Sequence, residues 1–188
     1  MKKAISNILK GCVVVSTIYT GVKFMQCRGT GKEDDRHLIG KAIDRMTGYP
    51  VQHDDVITID DTDMHVSYNP YMQLLTNTLG CVATVLTGTT EVYTDTQFRN
   101  MSKDTQYAIL CHEMGHYKHK HTASITYQFD RIKAIAKGQV LAAELEADAY
   151  ATNIVGSDAM IKALREMATI KGVSKKEVAL RIKAIRNS

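Results

Sequence analysis

At 188 residues, with 44% hydrophobic and 23% charged side chains, the chain has the composition of one globular domain rather than a disordered or fibrous protein. A net charge of +4 and a pI near 8.8 are too mild to indicate nucleic acid as a partner. The four cysteines, Cys12, Cys27, Cys81 and Cys111, include no CxxC pair, which argues against a cysteine-based zinc knuckle, and their even number permits disulfides without requiring them.

Residues 1–32 carry six Lys or Arg and no acid. Within them Gly11 to Val22 is an uncharged, mostly apolar run of twelve residues, too short to span a bilayer as a helix. With Lys2 and Lys3 ahead of it, the run has the layout of a secretory signal, although no small-x-small cleavage site follows. The competing reading is an amphipathic first segment of the fold, with Ile5, Ile8, Leu9, Cys12 and Val13 on one face. The expectation is a basic, apolar leader or anchor over 1–32 ahead of a domain over 33–188, with membrane association or export preferred over a cytoplasmic location.

From Glu33 to Met46 the spacing of Leu38, Ile39, Ala42, Ile43 and Met46 predicts a helix, ended by Gly48-Tyr49-Pro50. Val56–Ile59 and Met64–Tyr68 read as short strands around the acidic turn Asp60-Asp61-Thr62-Asp63. That turn lacks the twelve-residue calcium loop and reads as solvated. Cys81–Leu86 and Glu91–Tyr93 are β-branched runs on either side of Thr87-Gly88-Thr89-Thr90, the pattern of a hairpin.

Ser102 is a good N-cap, and Asp104 suits the first turn of the helix it opens. One stripe of that helix carries Tyr107, Leu110, Cys111 and Met114, and the next carries Ile109, His112, Glu113 and His116. His112 and His116, at i and i+4, point the same way and can share one zinc ion. Glu113, about 100° round the helix, stands where a general base for a zinc-activated water belongs. Cys111 reads as a buried, inert thiol. Gly115 costs about 1 kcal/mol against alanine in a helix, which close backbone packing would explain.

A third ligand is available in the alanine-rich helical stretch Val140 to Ile154. Glu144 and Asp148 share a face at i, i+4, whereas Glu146 is turned about 200° from Glu144. Glu144 can therefore ligate the metal while Asp148 holds a ligand histidine by its other ring nitrogen. Glu146 should meet solvent, and Glu146→Ala should leave zinc and activity near wild type. Two histidines, a glutamate and a water form an open, catalytic shell rather than a closed structural one. After Gly156, Ser157 is expected to cap a helix bearing Met160, Ile161, Leu164 and Met167. Ser174 and Glu177 form a capping box for a last helix with Val178, Ile182 and Ile185. Eight Lys or Arg against three acids over 157–188 read as a solvated basic face.

The run from Ser102 through Cys111-His-Glu-Met-Gly-His116, followed by Glu144-Leu-Glu-Ala-Asp148, resembles the gluzincin metallopeptidases of the CAAX prenyl endopeptidase and HtpX-type family. The resemblance covers about residues 80–186 and implies His112, His116 and Glu144 as ligands of one Zn2+ per chain, Glu113 as base and Asp148 as the carboxylate behind a ligand. It also implies an edge strand in the hairpin to which an extended peptide adds. Arg181-Ile182 is similar to an Arg-Ile pair late in such proteins. The Pro-Gly-Gly turn common there is Thr87-Gly88-Thr89 here, and the multi-span membrane portion of many members is absent. His119 and His121 do not complete a metzincin pattern, which needs Gly at 119 and His at 122, and they read as rim residues. Tyr127, Tyr150, His121 and Arg181 are all open as oxyanion stabilisers.

The fold expected is therefore α+β and zincin-like, mainly helical with a small antiparallel sheet. The function expected is zinc-dependent hydrolysis of a protein or peptide substrate. The alternative is a non-catalytic, zinc-stabilised interaction module of the same fold, against which the base-like position of Glu113 argues.

Overall fold

The computed structural model describes residues 52–68, 70, 80–84, 90–121, 134, 137, 139–170 and 173–188. The expected leader over 1–32 and the expected helix from Glu33 to Met46 lie outside the described residues. No helix among the described residues is long and apolar enough to cross a membrane.

Four strands make one sheet: β1 (Gln52–Ile59), β2 (Thr62–Tyr68), β3 (Gly80–Thr84) and β4 (Thr90–Thr94), in the order β1-β2-β4-β3. β1 and β2 form a hairpin with Ile59 opposite Thr62, so Asp60 and Asp61 alone make the turn. Both have positive φ, 49° and 55°, as a tight turn matching the twist of the strands requires. Aspartate tolerates that region better than most residues. β3 and β4 form the second expected hairpin, with Thr84 opposite Thr90.

One expectation is corrected. The sheet is mixed, because β2 runs parallel to β4, with Val66 opposite Val92. Parallel neighbours need a long crossover connection, and here residues 69–89, including β3, separate the two strands. Local alternation identifies strands but carries no information on the sense of a pair joined at that distance.

Five helices are described: α1 (Thr96–Arg99), α2 (Lys103–Lys118), α3 (Ala142–Val155), α4 (Ser157–Met167) and α5 (Lys175–Asn187). The core lies between the sheet and α2, where Ile59, Met64, Val66 and Val92 meet Ala108, Leu110, Cys111 and Met114. Met160, Ile161 and Leu164 of α4 extend it on the helical side. Tyr107, expected on the packed stripe of α2, is 40% exposed and marks the edge of that stripe. Ser157 is the first residue of α4 rather than its cap. Gly156 holds the cap with φ 84°, a left-handed corner between α3 and α4 that side chains disfavour.

Helix α2 is pinned at both ends. At its start Ser102 Oγ accepts from the Thr105 amide at 3.3 Å. Glu166 of α4 adds its carboxylate there, accepting from the Ser102 amide at 3.0 Å and from the Thr105 hydroxyl. A negative charge at a helix N-terminus is stabilising. At its end Lys118 Nζ donates to the Asp60 carbonyl at 3.2 Å and to Thr62 Oγ1 at 2.9 Å, tying the helix to the β1–β2 turn. The acidic turn is therefore structural as well as solvated.

Helix α3 crosses α2 at Gly115. A Cβ built there would lie 2.9 Å from Ala147 Cα, 3.0 Å from Ala147 O and 3.1 Å from Tyr150 Cβ. The close approach expected at this glycine is thus present, and its partner is the backbone of α3. Gly115→Ala should gain about 1 kcal/mol in helix propensity, but overpacking against backbone costs typically about 1–3 kcal/mol. The expected result is a net loss of stability in urea titration. A more stable variant would show that the two helices separate at no cost.

Candidate metal centre

His112 and His116 lie mid-helix on the buried side of α2, 6% and 4% exposed, and their Nε2 atoms are 3.1 Å apart. Glu144, in the first turn of α3, brings one carboxylate oxygen to 3.4 Å from His112 Nε2 and the other to 3.7 Å from His116 Nε2. Ligands on a tetrahedral zinc with bonds of about 2.0–2.1 Å are separated by roughly 3.3 Å. Distances of 3.1, 3.4 and 3.7 Å bracket that value, so this donor set fits a zinc ion in both chemistry and size. Two imidazole nitrogens aimed at one carboxylate form a cluster with the donors and the spacing to hold a cation. Glu113 is partly exposed on the same helix.

Asp148 stands one turn beyond Glu144 on α3, and its Oδ1 lies 2.8 Å from His112 Nδ1. That contact favours a ring proton on Nδ1, with Nε2 turned towards Glu144 and His116. Asp148 is in turn clamped by Arg181 of α5, which donates from Nε to Oδ2 at 2.7 Å and from Nη2 to Oδ1 at 2.5 Å. Arg181 Nη1 also approaches Glu144 Oε2 at 3.5 Å. This paired geometry is the fork-on-carboxylate arrangement that arginine makes and lysine does not.

The charges follow from these contacts. Burial alone would raise the Glu144 carboxyl, but His112, His116 and the Arg181 charge hold it well below the usual range. Asp148 is likewise lowered, burial being outweighed by Arg181 and His112. Burial and the Arg181 charge depress His112, yet its hydrogen bonds to Asp148 and Glu144 win and raise it to about 9. With no ion in the cluster these contacts favour a proton on His112, which a metal ligating there would displace. Burial pushes the Cys111 thiol up to about 11, and it is a free cysteine, the inert buried thiol expected next to the histidines.

Of the side chains considered as oxyanion stabilisers, Tyr127 lies outside the described residues. Arg181 is only 6% exposed and is spent on Asp148 and Glu144, so its role is to hold carboxylates. The Tyr150 hydroxyl donates to Asp60 Oδ2 at 3.1 Å, and burial with that neighbouring carboxylate pushes it up to about 12. His121 turns back to His116 instead of standing at the rim, its Nδ1 3.0 Å from His116 Nδ1.

Glu146 has a 56% exposed side chain, as expected, but its carboxylate lies 2.9 Å from His121 Nε2. It is therefore joined to the centre through a third histidine, which the helical phase of α3 alone does not reveal. His121 escapes a pattern search because it lies past the end of α2. The chain returns there through Lys120, whose left-handed φ of 58° is rare for a residue with a side chain.

Residues 98–180 match the family model described as Peptidase U49. The matched stretch contains α2 and α3 with every residue of the donor cluster, and it stops one residue before Arg181. It supports kinship with a peptidase family. No curated protein and no solved structure matches the chain.

Proposed function

We propose that this chain is a zinc-dependent endopeptidase of the gluzincin type, built on the plan of the CAAX prenyl endopeptidases and HtpX-type proteases. The observation that carries the reading is the convergence of His112 Nε2, His116 Nε2 and a Glu144 carboxylate oxygen to within 4.8 Å of one another, with Glu113 on the same helix. The peptidase family match over the same residues supports it.

His112, His116 and Glu144 would hold a zinc ion, which would supply Lewis acidity and lower the pKa of a water towards about 7. Glu113 takes the proton of the attacking water at its carboxylate, then delivers it to the amide nitrogen as the C–N bond breaks. Asp148 and Arg181 keep His112 in the Nδ1–H tautomer, with its other nitrogen turned to the centre. An extended peptide would add to β3, which is the edge of the described sheet beyond β4 and packs along α2. The non-catalytic alternative has no use for a carboxylate at 113. Zinc content measured together with cleavage of an unstructured protein, in wild type and Glu113→Gln, separates the two.

The leader belongs to the same proposal. Deleting residues 1–32 is expected to release an active domain from membranes, because six basic residues and no acid flank the apolar run there. Fractionation of the uncleaved, full-length chain entirely with the soluble protein would assign that segment to the fold instead.

A further inference from the structure

We propose that His121 and Glu146 form a positioning relay for His116, the counterpart of Asp148 behind His112. The inference rests on the zinc reading above and follows from counting ring protons. His116 Nε2 faces His112 Nε2 at 3.1 Å and Glu144 Oε1 at 3.7 Å. When that nitrogen ligates a metal its lone pair is used, so the single proton of the neutral ring resides on Nδ1. The neighbour of His116 Nδ1 is His121 Nδ1, at 3.0 Å. His121 must then accept, which leaves its own proton on Nε2. That nitrogen lies 2.9 Å from Glu146 Oε2, a carboxylate able only to accept. Each link dictates the next, and both ring protons point outward from the metal centre.

The two halves of the centre are unequal. His112 is held by a buried aspartate, 2% exposed, which an arginine clamps. His116 is held by a histidine whose carboxylate is 56% exposed and therefore screened by solvent. The relay should accordingly be the weaker of the two, and its loss should be felt first at His116.

The same side chains suggest a rival use. Ligand atoms of His119, His121 and Glu146 also lie within 4.8 Å of one another, close enough to hold a second cation. His121 cannot serve both purposes while the first centre is filled. Accepting at Nδ1 and ligating at Nε2 would leave the ring no nitrogen for its proton, so it would have to become an anion. The relay is the arrangement compatible with a loaded first centre.

Zinc titration of the metal-free, full-length chain tests this, together with nitrogen-15 spectra of its histidine rings. Wild type should bind one zinc per chain. His121→Ala should weaken that binding by about 10–100-fold, the usual scale for a partner behind a ligand. Glu146→Ala, which helical phase alone would leave near wild type, should show a smaller loss because the Glu146 carboxylate accepts from His121, and Glu146→Gln, whose amide oxygen still accepts a hydrogen bond, should recover most of it. In the loaded wild type the spectra should place the His121 proton on Nε2, a readout that packing alone does not set. His121 protonated on Nδ1 in the loaded chain would overturn the relay, as would unchanged affinity in both alanine variants. So would a second zinc equivalent lost in His119→Ala. If wild type bound zinc and His121→Ala bound it equally, only the relay would fall. If wild type bound none, the metal reading itself would fall.

Discussion

Glu113→Gln is expected to keep its zinc and its melting temperature while peptide turnover drops by about 10²–10⁴-fold, the range associated with a lost general base. Glutamine has almost the same shape and can still accept a hydrogen bond, but it cannot take a proton at neutral pH. The donor cluster does not include Glu113: the three groups that converge are His112, His116 and Glu144. Its side chain is partly exposed on α2, whereas the two histidine donors are buried. Both features lead to the same separation of metal content from turnover. The check is bound zinc per chain beside the cleavage rate of an unstructured protein, for purified wild type and variant under one buffer. A variant that lost its zinc would make Glu113 a ligand. One that cleaved at the wild-type rate would return the site to the structural-clasp reading.

Much of this site could be read from the sequence because its parts are local. Ser102 caps α2 as its hydroxyl and position suggest, and the i, i+4 pairs His112–His116 and Glu144–Asp148 follow from helical phase alone. Gly115 was conspicuous as the helix-weakening residue between the ligands, and the close packing it implies is found against Ala147. What escaped is non-local. The parallel pairing of β2 with β4 depends on a connection through residues 69–89, which carry no periodic signal for strand order. The Arg181 clamp spans from α5 to α3, although a signal for it exists. Val178, Arg181, Ile182 and Ile185 fall at i, i+3, i+4 and i+7, so a cation occupies the core-facing stripe of α5. A charge in that position is seldom buried unless an opposite charge meets it. Asp148, 1% exposed, is that charge. The reach of His121 back to His116 was the least legible, since it depends on the left-handed backbone of Lys120, a position where sequence patterns favour glycine.

Glu144→Ala is expected to abolish retention of the metal at concentrations where wild type keeps one zinc per chain, and cleavage should disappear with it. In the proposed centre Glu144 supplies one of three protein donors, with its oxygens 3.4 and 3.7 Å from the two histidine nitrogens. Losing a ligand should exceed the roughly 10–100-fold cost of losing a partner behind one, which is the scale expected for Asp148→Ala. The two variants should also differ in stability. Alanine suits the first turn of α3 in helix propensity, and Arg181 keeps both of its bonds to Asp148 when Glu144 is gone. Asp148→Ala instead strands the Arg181 guanidinium, 6% exposed, without its two shortest hydrogen bonds. Breaking a buried pair by removing one partner costs about 3–5 kcal/mol. The order expected is therefore crossed: Glu144→Ala loses more zinc affinity, and Asp148→Ala loses more metal-free stability. Equal dialysis against a weak chelator gives the first ordering, and urea denaturation of the metal-free proteins gives the second. Retention of zinc by Glu144→Ala would remove Glu144 from the ligand set. Should the metal-free Asp148→Ala domain prove no less stable than Glu144→Ala, Arg181 would have to find its counter-charge somewhere other than Asp148.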